Sequence, residues 1–280
     1  MRRRRGSLWM LAAAVATCLA GPAHGCGPVT SIATHGGTTT RYAFHPPAAA
    51  PGAPIALVLL PGGGGHLDLD EAGCPRALKG NSLVRSAPIF QELGFHTALV
   101  DAPSDMPGED GLAGFRLTAD HAEDLGRIVA DVRARSGAAA VWLIGTSRGS
   151  ISAANAAARL AGAAAPDGVV LTSALMFGQS GARKAYVSQT VFDVPLEAIK
   201  MPLLVVGHAD DTCVRSPAKL MKGIAERAAS ARKQVVAVTG GPGSTGGGLA
   251  ACEGKAPHGF IEQEAEVAAG IARFIRGGRY

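Results

Sequence analysis

Six short, nearly continuous apolar runs punctuate this chain, and stretches with helical spacing separate most of them. The runs lie at 55–60, 97–100, 141–144, 169–171, 202–206 and 234–238. A strand that reads as unbroken Val, Ile and Leu, instead of alternating with polar residues, is one buried on both faces. Between the runs, helical spacing marks 83–93, 118–135, 150–160 and 261–275. In the second of these Leu125, Ile128, Val129 and Val132 share one face, so the helix is expected to lie on the surface, with His121, Glu123 and Asp124 exposed. In the last, Val267, Ile271, Phe274 and Ile275 are expected to face inward. Alternating β and α elements of this kind predict an α/β fold: a mostly parallel central sheet with helices on both faces. No internal repeat and no dividing linker is present, so 26–280 is expected to form a single domain.

The first 25 residues stand apart. A basic head, Arg2–Arg5, precedes an apolar run of about a dozen residues and a small-residue end at Ala23-His24-Gly25, the parts of a secretory signal peptide. The run is too short for a confident membrane span, so no stable span is expected once 1–25 are removed. The arginine pair suggests twin-arginine export, and the general route stays open beside it. Cys26 would become the new N-terminus, but His24 and Ala23 fit a lipobox poorly, so lipid anchoring there is not favoured. The expected location is periplasmic or secreted.

Charge and composition then exclude a class of partner. The chain carries 27 Lys and Arg against 22 Asp and Glu. Four of the basic residues belong to the leader, which leaves 23 against 22. Neither a basic patch nor an aromatic stacking platform remains (aromatics are 5%), and nucleic acid is not an expected partner. Cys18 goes with the leader, leaving Cys26, Cys74, Cys213 and Cys252. An even number outside the cytosol suggests two disulfides with three possible pairings. No two of these cysteines have the CxxC spacing of a zinc site.

Gly145-Thr146-Ser147-Arg148-Gly149 lies between a predicted strand and a predicted helix. That context turns a common pentapeptide into a candidate nucleophile, a serine thrust out on a tight turn with glycines giving the helix room to pass the strand. An ordinary helix-capping serine is the alternative for an isolated match. Three further features agree with the nucleophile: an acid pair, Asp210-Asp211, after the 202–206 run; His258 between the last strand and last helix; and Pro61-Gly62-Gly63-Gly64-Gly65, where amides can approach a substrate oxygen closely.

Together these blocks resemble the α/β-hydrolase-fold serine hydrolases of the esterase, lipase and serine-aminopeptidase-like kind, in an exported bacterial form. The resemblance covers roughly 52–276 and rests on Leu60–Gly65, Gly145–Gly149, His208–Cys213 and His258–Phe260. It implies Ser147 as nucleophile, His258 as base and acid, and an Asp orienting the imidazole. The family pattern places that acid at Asp211. Gly207-His208 inverts the usual His-Gly, however, and this keeps Asp210 as an alternative. The oxyanion hole is expected to combine the amide of Arg148 with that of Gly62 or Gly63. The side chain of Arg148 either reaches an acidic group on the substrate or pairs with a neighbouring carboxylate. By the same likeness a Cys213–Cys252 bridge would tie the acid loop to the base loop, leaving Cys26–Cys74 as the second.

No cofactor and no metal are expected. Gly241–Gly246 is literally GxGxxG, but it opens no helix that feeds another strand, so it reads as a loop. His66, Asp68, Asp70 and Glu71 read as a solvated acidic loop, and His208 as a weaker rival to His258. A small cap at about 173–200, poor in large apolar residues, disfavours a broad greasy lid. The expected substrate is a small-molecule ester of short to medium acyl chain. The alternatives are a peptide or amide, a polyester, or, for a decayed fold, non-catalytic binding.

Overall fold

The computed structural model describes residues 26–49, 52–243 and 246–280; the expected signal peptide, 1–25, lies outside the described residues. Eight strands form one sheet: β1 (Val29–Ala33), β2 (Thr39–His45), β3 (Ile55–Leu60), β4 (His96–Pro103), β5 (Ala140–Thr146), β6 (Gly168–Thr172), β7 (Leu203–His208) and β8 (Lys233–Val238). Their spatial order is β1-β2-β4-β3-β5-β6-β7-β8. β1, β2 and β4 pair antiparallel, and every pairing from β4 across to β8 is parallel. The helices are α1 (Ser82–Glu92), α2 (Ala119–Ser136), α3 (Gly149–Arg159), α4 (Met221–Arg227) and α5 (Glu264–Ile275).

Both faces of the sheet are covered, which is why its strands read as unbroken apolar runs. Val58 and Leu60 point into a core shared with Leu125, Ile128 and Val132 of α2 and Ile151 of α3. Leu57 and Leu59 point the other way, onto Phe90 of α1 and Val267, Ile271 and Phe274 of α5. The helix ends carry their own signals. Asn81 caps α1 by accepting from the Leu83 amide, Thr118 caps α2 by accepting from His121, and Gly137 ends α2 in the left-handed region at φ 59°.

One expectation is corrected on α2. Glu123 is exposed, but His121 and Asp124 are 4% and 2% exposed and belong to the buried face. Each has a partner on another element. The Asp124 carboxylate accepts from the His35 amide at 2.8 Å and lies 2.5 Å from the His35 ring. His121 Nε2 sits 2.8 Å from Ser152 Oγ on α3. Tertiary partners outweighed the polarity pattern.

The region expected as a cap runs between β6 and β7 and contains three one-turn 3₁₀ helices, Ala185–Ser188, Val191–Asp193 and Leu196–Ala198. Val191, Val194, Leu196 and Ile199 are buried in the same core as α3. Among the described residues, no helix is long and apolar enough to cross a membrane.

Candidate active site

The C-terminal ends of β3, β5 and β7 open on one side of the sheet, where α/β proteins present their ligand sites. β5 ends at Thr146, and Ser147 follows at φ 51°, a left-handed conformation that costs a non-glycine residue energy. Hydrogen bonds hold the turn. The Ser147 amide donates to Thr172 O at 3.0 Å, and the Ser150 amide and hydroxyl donate to Ser147 O at 3.0 and 2.6 Å. α3 then leaves past β3 so closely that a Cβ on Gly149 would sit 2.0 Å from Leu60 O, and one on Gly145 2.3 Å from Gly149 O. Glycine is the residue that allows this crossing.

His258 lies in the turn Pro257–Gly259 and is 3% exposed. Its Nδ1 is 2.8 Å from Asp211 Oδ2, and the other Asp211 oxygen accepts from the Cys213 amide at 2.9 Å. Ser173 Oγ donates to His258 O at 2.6 Å, fixing the turn to the end of β6. Asp210, by contrast, is exposed, and it is Asp211 that meets the imidazole. The His258 ring therefore has Nε2 available, and this atom is buried without a hydrogen-bond partner among the described residues. His258, Ser147, Gly62 and Gly63 line a common cavity of about 250 Å³. No Ser147–His258 hydrogen bond is formed in this structure, and such contacts commonly tighten only around a substrate.

The glycine loop after β3 is held by its carbonyls. Arg116, 1% exposed, donates to Pro61 O at 3.3 Å, to Gly63 O at 3.2 Å and to Ser152 Oγ at 2.7 Å. Gly65 donates to Gly62 O and Leu112 to Gly64 O. The amides of Gly62, Gly63 and Arg148 donate to nothing among the described residues. A Cβ on Gly62 would lie 2.9 Å from Ser147 Cβ, so the loop passes directly over the serine. Burial pushes the Arg116 guanidinium down to about 9, with the nearby Arg148 adding to the effect. It still carries its charge at neutral pH, shared among neutral oxygens.

Two disulfides are present, Cys213–Cys252 and Cys26–Cys74. The first joins the loop carrying Asp211 to the segment leading into His258. Asp211, Cys213 and His258 form the one group of three metal-ligand types found close together among the described residues. Cys213 is tied up in its disulfide and Nδ1 of His258 in its bond to Asp211, so this donor set does not suit a metal. His208 is a structural residue: its Nδ1 accepts from the Asp210 amide, and its Nε2 faces Gly240 O at 3.1 Å and Gln263 Oε1 at 2.9 Å. In the acidic loop Asp70 caps the amides of Ala72 and Cys74, and His66 Nδ1 accepts from Gly108. Gly241 and Gly243 adopt positive φ in the loop after β8, while 244–245 of the GxGxxG lie outside the described residues.

Arg116, Tyr186 and Arg215 border this site without belonging to any motif. The one hint in the sequence is Arg116, a lone cation among Leu112, Phe115 and Leu117 with no acid adjacent.

No family model and no curated protein sequence matches the chain. Solved structures do match it along most of its length, and the fold they share is the α/β-hydrolase fold. DcsB in complex with a substrate analogue is 19% identical, with a TM-score of 0.60 over 89% of this chain and 97% of that one. Est1E from Butyrivibrio proteoclasticus, solved with ferulic acid bound, is 14% identical with a TM-score of 0.59, covering 88% and 98%. An α/β serine hydrolase without a lid from Xanthomonas campestris is 15% identical with a TM-score of 0.51, covering 88% and 96%.

Proposed function

We propose that this chain is a serine hydrolase cleaving carboxylic esters of short to medium acyl chain, with Ser147 as nucleophile, His258 as base and acid, and Asp211 as the orienting carboxylate. The observation that carries the reading is the shared cavity. A strained serine, an imidazole whose Nδ1 is already bound to a buried carboxylate, and two unpaired backbone amides all border it. Similarity in fold to serine hydrolases and esterases supports it further.

In this reading Ser147 Oγ attacks the ester carbonyl while its proton passes to His258 Nε2. The carbonyl oxygen becomes an oxyanion held by the Arg148 amide and that of Gly62 or Gly63, at the N-terminus of α3. His258 then gives its proton to the departing alkoxide. A water molecule, deprotonated by the same ring, attacks the acyl-enzyme, releases the acid and restores Ser147. Asp211 keeps the ring in the tautomer with Nδ1 protonated throughout.

Export of the mature chain, 26–280, as one domain with a small cap at 173–200 belongs to the same proposal; the two disulfides support an oxidising compartment. The test is a panel of nitrophenyl esters of graded chain length beside aminoacyl anilides. Ester turnover that Ser147→Ala lowers by at least about 10⁴-fold is expected. Faster cleavage of the anilides would make the chain a peptidase or amidase, and turnover surviving in Ser147→Ala would overturn the reading.

A further inference from the structure

Ser147 has two flanks. The 250 Å³ cavity described above holds His258 and is otherwise lined mainly by backbone and small side chains. A second cavity, of about 320 Å³, shares Ser147, Gly63 and Cys252 with the first but does not touch His258. A leaving alkoxide takes its proton from His258, so the leaving group belongs on the first flank and the acyl chain on the second.

The acyl flank is chemically unusual. Its walls include Leu175, Val187, Leu249 and the ring of Tyr186, and two guanidiniums, Arg148 and Arg215, stand among them with no carboxylate in the lining. Neither arginine is paired with an acid among the described residues. Arg215, 8% exposed, donates to Phe177 O, Val187 O and Gln179 Oε1, all neutral acceptors. Arg148 stacks 4.3 Å from the Tyr186 ring centroid and donates one weak bond, 3.4 Å, to Ala113 O. Its Nε is buried without a partner. The nearest candidate acid, Asp110, is already held by Lys184 and Tyr186.

Each arginine pays for this arrangement. Burial lowers the Arg148 pKa and repulsion from Arg215 adds to that, while Tyr186 and, less strongly, the attraction of Asp110 oppose it. Burial alone lowers Arg215. Two like charges facing one partly apolar cavity raise its positive potential above that of an exposed pair, because the walls exclude screening water. An anion entering the cavity relieves the repulsion between the two arginines.

The geometry points to an ester whose acyl chain ends in a carboxylate, the half-ester of a dicarboxylic acid, with Arg148 and Arg215 receiving the distal carboxylate and the apolar walls its methylenes. This rests on the hydrolase reading above and adds the substrate class. Arg148 thus has two parts: its amide faces the reacting carbonyl oxygen, and its guanidinium selects the acyl chain.

The test compares three ethyl esters of matched chain length: monoethyl adipate, ethyl hexanoate and ethyl 6-aminohexanoate, which are anionic, neutral and cationic at the far end. Product acid is quantified to give kcat/KM. The half-ester is expected to exceed the neutral ester by about tenfold or more and the cationic ester to be poorest, with the spread narrowing as salt is raised. In Arg148→Gln the ratio of half-ester to neutral ester should fall towards one, and Arg148→Lys should keep part of it; the ratio is used because either change can also disturb the shared amide. Hydrolysis of the neutral ester at an equal or higher rate than the half-ester, in the unaltered protein, overturns the inference and leaves the hydrolase reading standing. Failure to cleave any of the three while nitrophenyl esters are cleaved overturns the inference alone, and failure on all of them overturns both.

Discussion

The two sides of the Ser147 site are held in place by different means. On the proposed oxyanion side a buried guanidinium, Arg116, grips two carbonyls of the loop 61–65. On the base side Asp211 and His258 come from loops far apart in sequence near the β8 edge of the sheet, and a disulfide joins them. The surroundings explain the difference. Arg116 is buried beneath the loop 61–65 and offers it a fixed donor, so hydrogen bonds suffice. The segments flanking Cys213 and Cys252 carry exposed residues, Leu249 at 62% among them, and a covalent link limits their freedom instead. In the proposed catalytic groups, precision is reached by whichever constraint the local packing permits.

The sharpest break of this comparison lies on the base side. Asp211→Asn is expected to lower kcat by about 10⁴-fold with the fold intact, because the amide no longer enforces the reactive tautomer. Asp210→Asn should stay within about twofold. Equal effects at the two positions, by steady-state kinetics on nitrophenyl esters, would contradict the placement of the acid.

On the proposed oxyanion side, Arg116→Met removes the guanidinium that donates to Pro61 O and Gly63 O. Turnover should fall by about 10²-fold through loss of loop position, on the scale of losing one oxyanion donor. An unchanged kcat in a folded Arg116→Met protein would show that the loop holds itself.

Selective loss of the base-side bridge, in a Cys213→Ser/Cys252→Ser protein, should lower kcat by about tenfold while circular dichroism stays native. The Cys26–Cys74 bridge gives the contrast. It closes a loop of 48 residues, and its removal should cost up to about 4 kcal/mol of stability in the loop-entropy treatment, with kcat unaltered. Reversed outcomes would mean that the bridges had been assigned the wrong roles.

The smallest effect concerns acid. Burial, then repulsion from Arg116 and His35, holds the His121 imidazole at about 3 in the folded protein, against the ordinary 6.5. The unfolded chain binds a proton at His121 between those values and the folded one does not, so this contribution is complete above about pH 6.5 and is lost as pH falls towards 3. Denaturant titrations of His121→Gln should show a flatter decline over that window, and a decline as steep as that of the unaltered chain would place the acid sensitivity elsewhere.

Much of this architecture is visible in the residues themselves. The apolar runs at 55–60, 141–144 and 202–206 and the helical faces ending in Ile275 announce a parallel sheet, because burial on both sides leaves no room for polar alternation. β1 and β2 escape that logic. Thr39-Thr40-Arg41-Tyr42 sits near an antiparallel edge, where one side of the strand tolerates polar groups. α4 has only seven residues, too few to show a period. The motif residues Ser147, Asp211 and His258 stand out because each follows a strand or precedes a helix in a fixed order. Arg116, Arg215 and Tyr186 do not, since their position depends on contacts across the fold that no local pattern encodes.

The central claim is that Ser147 is an activated nucleophile. Treating the folded protein with a fluorophosphonate and mapping the adduct by mass spectrometry tests it most directly. The account predicts a single adduct on Ser147, forming about 10³-fold or more slowly in His258→Ala. A folded protein that forms no adduct, or carries it on another residue while hydrolysing esters, would contradict it.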